Sequence, residues 1–258
     1  MQKKTSDNLY LMGEDAPGED YKYFSNRYID GIEVSENYFI PVWRDVFSYV
    51  NPDTIVDIGC GSGKFSSFLV EKHNCFLIGI DGSSYGLKKA KAKGFHETFL
   101  VNDFSCDSLP LESSQYEFVV NKDVLEHLLD PMFMLREINR ILKSDGMLLL
   151  HVPNHFPLSG RIRFLFNHNL DPFGFCMGAK SWENPHIRFF TYADLMEMLS
   201  INGFKIVKNL SHHFPAIPFL QKFPDNLRIK TLNYLTQRFP SQFCCGFTIL
   251  AEKVSHPK

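Results

Sequence analysis

No segment constrains this chain more than the run Val56-Asp57-Ile58-Gly59-Cys60-Gly61-Ser62-Gly63. The stretch Thr54–Ile58 is short and apolar, so it reads as a buried strand. It passes directly into glycines at alternate positions, and a helical segment, Lys64–Lys72, follows. A glycine turn between strand and helix lets a ligand approach the backbone, and the N–H groups of the helix start face that ligand. Three ligand classes use such a turn, and register separates them. The dinucleotide fingerprint GxGxxG needs glycine at 64, where the chain has Lys64. The phosphate loop GxxxxGK[ST] needs glycine at 58 and Ser or Thr at 65, where the chain has Ile58 and Phe65. What fits is [VI]-D-x-G-x-G-x-G, with Asp57 near the strand end.

From Thr54 onward strands alternate with helices. Apolar runs at Thr54–Ile58, Phe76–Ile80, Thr98–Val101, Phe118–Val120 and Met147–Val152 are read as strands. Lys64–Lys72, Ser84–Lys93 and Pro131–Lys143 are read as helices. The last begins with Asp130 as N-cap and Pro131 at the first helical position, and Gly146 is read as its stop. This alternation implies a mostly parallel sheet covered on both faces by helices. A further helix starts at Thr191, with Asp194 three residues on, and ends at Gly203. Lys205–Leu210 and Phe247–Ala251 complete a set of seven strands. Glu36–Val50 has the apolar spacing of a helix lying on a core. Residues 1–50 read as a polar leader followed by an aromatic cap, and 51–258 as the main domain. Stretches 154–190 and 211–243, rich in aromatic residues, read as inserts that form a lid on the substrate side.

Further polar groups fall at the strand ends. Asp81 closes the second strand, 24 residues beyond Asp57. An acid there can accept both hydroxyls of a ribose, or it can cap the next helix. Asn102-Asp103-Phe104 follows the third strand and Asn121 ends the fourth. Asp123-Val124-Leu125-Glu126-His127 comes next, and Leu142-Lys143-Ser144-Asp145-Gly146-Met147-Leu148-Leu149 leads into the fifth strand. Taken together, about residues 52–155 resemble the class I S-adenosylmethionine-dependent methyltransferases. The resemblance implies a Rossmann-like seven-stranded sheet whose last strand is antiparallel. It implies S-adenosyl-L-methionine as cofactor, held by Asp57, Gly59, Cys60, Gly61, Gly63, Asp81, Gly82, Asp103, Phe104 and Asn121. In that family the acid at 103 holds the adenine amino group, and the residue after it packs on the ring. A sulfonium cofactor needs no phosphate cradle, in keeping with the failed phosphate motifs.

Methyl transfer is an in-line displacement, so positioning carries much of it, and a hydroxyl acceptor is helped by a base. His151, His127 and His186 are the candidates, with His155 beside them. The carboxyl edge of an open α/β sheet is where ligands bind, and His127, His151 and His155 follow strands there. Ubiquinone-pathway O-methyltransferases, which the chain also resembles, hold a divalent metal on an acid, two residues, then Glu-His. Asp123, Glu126 and His127 match that spacing. The reading taken is that no metal is bound and that Glu126 and His127 pack at a helix start. The stretch Asn184–Thr191 is similar to one found in methyltransferases resembling the methionine-biosynthesis W group. His186 and Arg188 in it either meet the acceptor or brace the insert.

Bulk properties narrow the partners. The formal net charge is -2, which gives no reason to expect nucleic acid. The amino-methyltransferase signature Asn/Asp-Pro-Pro-Tyr/Phe is absent after the fourth strand. Twenty-five Phe point to a large aromatic core or to an apolar acceptor. Six Cys occur without a CxxC pair, which disfavours zinc and suits reduced thiols in the cytoplasm. No stretch approaches the ~20 apolar residues of a transmembrane helix. The expected function is methyl transfer to a small-molecule acceptor, O- or N-directed, such as a saccharide, lipid or quinone-like compound. The alternatives are a non-catalytic protein that binds the same cofactor and a nucleotide-dependent oxidoreductase, against which Lys64 argues. Oligomeric state is not encoded in any of these features.

Overall fold

A computed structural model describes residues 36–166, 186–211 and 225–254. In chain order the elements are α1 (Glu36–Phe47), β1 (Thr54–Ile58), α2 (Phe68–His73), β2 (Phe76–Asp81), α3 (Ser84–Ala92), β3 (Glu97–Leu100) and β4 (Tyr116–Lys122). Then come a 3-10 turn (Leu125–His127), α4 (Pro131–Ile141), β5 (Leu142–Pro153), α5 (Leu158–Leu165) and α6 (Tyr192–Ile201). The chain continues through β6 (Phe204–Asn209), α7 (Asp225–Arg238), α8 (Pro240–Phe243) and β7 (Gly246–Lys253).

The seven strands form one sheet in the order β3-β2-β1-β4-β5-β7-β6. Strands β1 to β5 pair in parallel, and β7 runs antiparallel between β5 and β6. This is the Rossmann-like sheet with a reversed last strand that the sequence implies. Alternate residues of each strand feed two cores. One face gathers Val56, Ile58, Val119, Leu148 and Ile249 against Leu135 and Ile138 of α4 and Leu195 and Leu199 of α6. The other gathers Ile55, Leu77, Phe118 and Leu250 against Trp43 of α1, Leu69 of α2 and Ala90 of α3. Trp43 is 1% exposed and donates its ring N–H to the Phe65 carbonyl, 3.0 Å away. Helix α1 therefore belongs to the layer covering the sheet rather than to a separate cap.

Helix starts follow their side chains. Asp130 accepts the Phe133 N–H at 3.0 Å and caps α4, with Pro131 in its first turn. Thr191 and Asp194 make a reciprocal capping box on α6. Two boundaries differ from the sequence reading. Helix α4 ends at Ile141, not at Lys143, because Leu142 is extended and pairs with Tyr116 of β4, and Gly146, read as the helix stop, lies inside β5. Helix α2 begins at Phe68 rather than Lys64, because residues 61–67 are spent in turns. Of the stretch 154–190, residues 158–165 form α5, and 225–243 of the second stretch form α7 and α8. Residues 1–35 lie outside the described residues, as do 167–185 of the first insert and 212–224 of the second. Among the described residues no helix is long and apolar enough to cross a membrane, and Cys60, Cys75, Cys106, Cys244 and Cys245 are free thiols.

Candidate functional site

Strand β1 is followed by β2 on one side of it and by β4 on the other. At such a switch point the connections diverge and leave a crevice at the carboxyl ends of the strands. The glycine loop stands in that crevice. Gly59 and Cys60 donate to the Ile80 carbonyl at 2.7 and 3.2 Å, and Gly63 donates to the Cys60 carbonyl at 2.8 Å. Gly59 has φ +76°, and a Cβ there would stand 2.1 Å from Cγ2 of Val124, so the backbone touches a side chain that only glycine permits. Gly61 has φ +52°, and a Cβ there would meet nothing within 4 Å. The loop is thus pressed against protein at Gly59 and opens to space at Gly61.

Acids fix this loop from two sides. Asp57 is 2% exposed, and its Oδ2 accepts the Ser66 hydroxyl at 2.6 Å. Burial pushes its carboxyl up to about 6, against the pull of Ser66. Asp57 therefore clasps the returning turn from within. Asp81, at the tip of β2, accepts the Gly61 N–H at 2.7 Å and the Ser83 N–H at 2.8 Å. Ser83 itself caps α3, with its hydroxyl accepting the Gly86 N–H at 3.0 Å. The capping role that Asp81 might have filled is taken, which leaves its carboxylate on the loop at the crevice. Cys60 is 8% exposed, and burial beside Asp81 raises its thiol well above the ordinary value. It is a neutral packing group.

Other predicted cofactor residues stand at the carboxyl ends of neighbouring strands, Asn121 in β4 and Asp103 and Phe104 after β3. Asn121 pairs in register with Ile58 and is fully buried. Its Nδ2 donates to the Ile58 carbonyl at 3.4 Å, while its Oδ1 has no hydrogen-bond partner among the described residues. A buried carbonyl oxygen left in that condition is costly and calls for a donor. Asp103 follows β3, and its Oδ1 accepts the Ser105 N–H at 2.7 Å. Phe104 is 7% exposed and packs in the first core. The segment is braced from α4. Glu137 accepts the Leu109 N–H at 2.8 Å, and Arg140 donates to the carbonyls of Leu109 and Leu111 at 3.0 and 2.8 Å. An open glycine, an acid at the β2 tip and an orphaned amide oxygen at the β4 tip together suit a ligand bearing hydroxyls and an ammonium group. S-adenosylmethionine has both.

The histidines divide into two groups. His151 pairs with Thr248 across the β5–β7 ladder, and its Nδ1 is 2.8 Å from the threonine Oγ1. Its Nε2 lies 3.4 Å from Oδ1 of Asp123. Asp123 has φ +56° and is also ion-paired with Lys122. Burial alone would raise the Asp123 carboxyl, but Lys122 and His151 more than offset it and hold it at about 2. His127, His155 and His186 form the second group. His155 Nε2 is 2.8 Å from His186 Nδ1, and the His127 and His186 rings lie 4.8 Å apart. Burial and the neighbouring His127 and His155 press His186 down to about 3. The set Asp123, Glu126, His127 read from spacing is therefore split: Asp123 goes to His151, while Glu126 and His127 meet His186. Arg188 is a brace, donating to the carbonyls of Leu128 and Leu129.

Sequence reasoning missed Ser66, Thr248 and the pair Glu137–Arg140. Thr248 becomes visible only once β5 is paired with β7. The spacing of Glu137 and Arg140, three apart on a helix, offered a signal for an ion pair but not for its clasp on the backbone of Leu109 and Leu111.

Comparison with known proteins agrees with this geometry. The family model described as "Methyltransferase domain" matches residues 56–150. The ubiquinone biosynthesis O-methyltransferase of Ruegeria sp. is 25% identical over 185 residues, covering 70% of this chain and 71% of that one. The malonyl-[acyl-carrier protein] O-methyltransferase of Hamiltonella defensa is 32% identical over 149 residues, 56% of this chain and 50% of that one. Among solved structures, a SAM dependent methyltransferase from Archaeoglobus fulgidus superposes with a TM-score of 0.57 at 20% identity, covering 85% and 95% of the two chains. The [4+2]-cyclase SpnF shares the fold at a TM-score of 0.56 and 16% identity, covering 86% and 83%. The matched stretch holds the glycine loop, Asp81, Asp103 and Asn121, and over it the chain is similar to the class I S-adenosylmethionine-dependent methyltransferases.

Proposed function

We propose that this protein transfers a methyl group from S-adenosylmethionine to an oxygen of a small-molecule acceptor. The observation that carries the cofactor half is the meeting of the open Gly61 turn, Asp81 and the orphaned Oδ1 of Asn121 at one switch point. In this reading Asp81 accepts the ribose hydroxyls, Asp103 and Phe104 meet the adenine, and Asn121 accepts from the amino group. Asp57 and Ser66 hold the loop in shape. The cofactor supplies a methyl on a sulfonium, and the carbon–sulfur bond breaks as the carbon–oxygen bond forms. The chain's task is to align the acceptor and take its proton.

His151 is the group proposed for that proton. If Nδ1–H donates to Thr248, the basic lone pair lies on Nε2, and Asp123, held ionised, stabilises the proton that arrives there. The names of the curated relatives, both O-methyltransferases, support oxygen as the target. Free thiols suit a reducing compartment such as the cytoplasm.

Calorimetric titration with S-adenosylhomocysteine tests the cofactor half. Asp81→Ala should weaken binding at least tenfold, and undiminished binding would overturn the assignment. Radiolabelled methyl transfer to phenols, catechols and acyl carboxylates tests the rest. Tight cofactor binding with no product on any acceptor would favour a non-catalytic member of the same fold.

A further inference from the structure

Glu126, His127, His155 and His186 form one cluster at the carboxyl edge of the sheet, and methyl transfer as proposed uses none of them. Glu126 is fully buried, and neither of its carboxylate oxygens has a hydrogen-bond partner among the described residues. A carboxylate in that setting is costly unless a cation meets it. His127 Nε2 is 3.9 Å from Oε1 of Glu126. One ligand atom from each of Glu126, His127 and His186 lies within 4.8 Å of the other two. Donors bonded at about 2.1 Å in a tetrahedral shell stand about 3.4 Å apart, so small side-chain rotations close the set.

We infer that Glu126, His127 and His186 hold a divalent transition-metal cation. Two imidazoles and one carboxylate suit Zn²⁺, Mn²⁺ or Co²⁺, whereas Mg²⁺ prefers oxygen donors and keeps its waters. Nδ1 of His186 is engaged with His155, so Nε2 is the atom assigned to the cation. His155, 2% exposed, then fixes the ring and its tautomer, as outer-shell partners of metal-bound histidines do. Asp123 is outside this donor set.

The surroundings suggest what the cation does. The N–H groups of Ile187 and Arg188 both donate to the Glu126 carbonyl, at 2.9 and 3.0 Å. The Arg188 guanidinium adds bonds to the carbonyls of Leu128 and Leu129. The segment before α6 is already docked on the turn after β4, and the cation fastens the two together. His186 is 9% exposed and Glu126 is fully buried, so this is a closed fastening rather than a solvent-facing reaction centre.

The test uses the whole protein, stripped with a chelator and titrated with Co²⁺ and Zn²⁺. One equivalent should bind, with a visible Co²⁺ absorption band and a rise in melting temperature. His186→Ala and Glu126→Gln should each lose 10–100-fold in affinity. Asp123→Asn should stay within about threefold. Circular dichroism and S-adenosylhomocysteine calorimetry on the same samples report folding and the cofactor site independently, so failure of the methyl-transfer reading is distinguishable. No stoichiometric binding, or binding that survives both His186→Ala and Glu126→Gln, overturns the inference. So does an affinity that falls with Asp123→Asn but not with His186→Ala, which would put the cation on the other carboxylate.

Discussion

Two alanines, two residues apart in one loop, should fail in opposite ways. Gly59 and Gly61 both have positive φ, at +76° and +52°. A non-glycine residue there costs about 1–2 kcal/mol in backbone strain. At Gly61 that is the whole penalty, because an added methyl meets nothing within 4 Å. At Gly59 the methyl would stand 2.1 Å from Val124 Cγ2. Val124 is 5% exposed and branched at Cβ, so it has little room to turn away. Overpacking adds about 1–3 kcal/mol, for a total of about 2–5 kcal/mol. Urea denaturation should therefore rank wild type above Gly61→Ala and Gly61→Ala above Gly59→Ala. Affinity for S-adenosylhomocysteine, measured by calorimetry, should behave differently. Gly61→Ala, less stable than wild type only by about 1–2 kcal/mol of backbone strain, should lose at least tenfold in affinity, because its methyl enters the space assigned to the ligand. If Gly61→Ala binds as wild type does, the crevice is not the cofactor site. If Gly59→Ala is as stable as Gly61→Ala, the contact with Val124 does not constrain the loop.

Other consequences can be measured directly. Asp57 is raised to about 6 in the fold against an ordinary value of 3.8, so the folded state binds its proton more tightly. Stability from this group is present in full below about pH 4, falls as pH rises from there to about 6, and is lower by about 3 kcal/mol above that. Asp57→Asn removes the slope, so the gap in unfolding free energy between variant and wild type should widen from pH 4 to 6 and then level off; a constant gap would refute the buried-acid account. Lys253, 5% exposed, donates to the carbonyls of Asn139 and Leu142 at 2.7 and 2.8 Å. Lys253→Met should cost about 2–4 kcal/mol in urea denaturation without weakening cofactor affinity. Arg140→Ala should raise the dissociation constant of S-adenosylhomocysteine about tenfold by releasing the Leu109 and Leu111 carbonyls; an unchanged constant would sever that brace from the site.

Strands β1 to β5 were legible because each is a short apolar run ended by a polar residue. In β1, β2 and β4, burial on both faces leaves no alternation to misread. The boundaries missed are those where two elements compete for one residue. Leu142 continues the apolar spacing of α4, yet it pairs with Tyr116 and is drawn into β5. Glycines at 59, 61 and 63 announced the loop because positive φ favours glycine, whereas the four turn residues 64–67 before α2 carried no comparable mark. The histidine groups were not legible. His151 and His155 are four apart and looked like neighbours. One is claimed by Thr248 across an antiparallel ladder and the other by His186, a partner far along the chain. Sequence spacing cannot reveal such pairings before the sheet order is known.

The contact between Gly59 and Val124 has a thermodynamic meaning of its own. Cys60, the loop's next residue, is packed in the core on one side of the sheet, and Val124 belongs to the core on the other. The crevice thus lies at a seam between two packing units on opposite faces of the sheet. A ligand seated there touches both and makes their opening a single event. Hydrogen exchange should then slow together in α3 and α4, on opposite faces of the sheet, when S-adenosylhomocysteine binds.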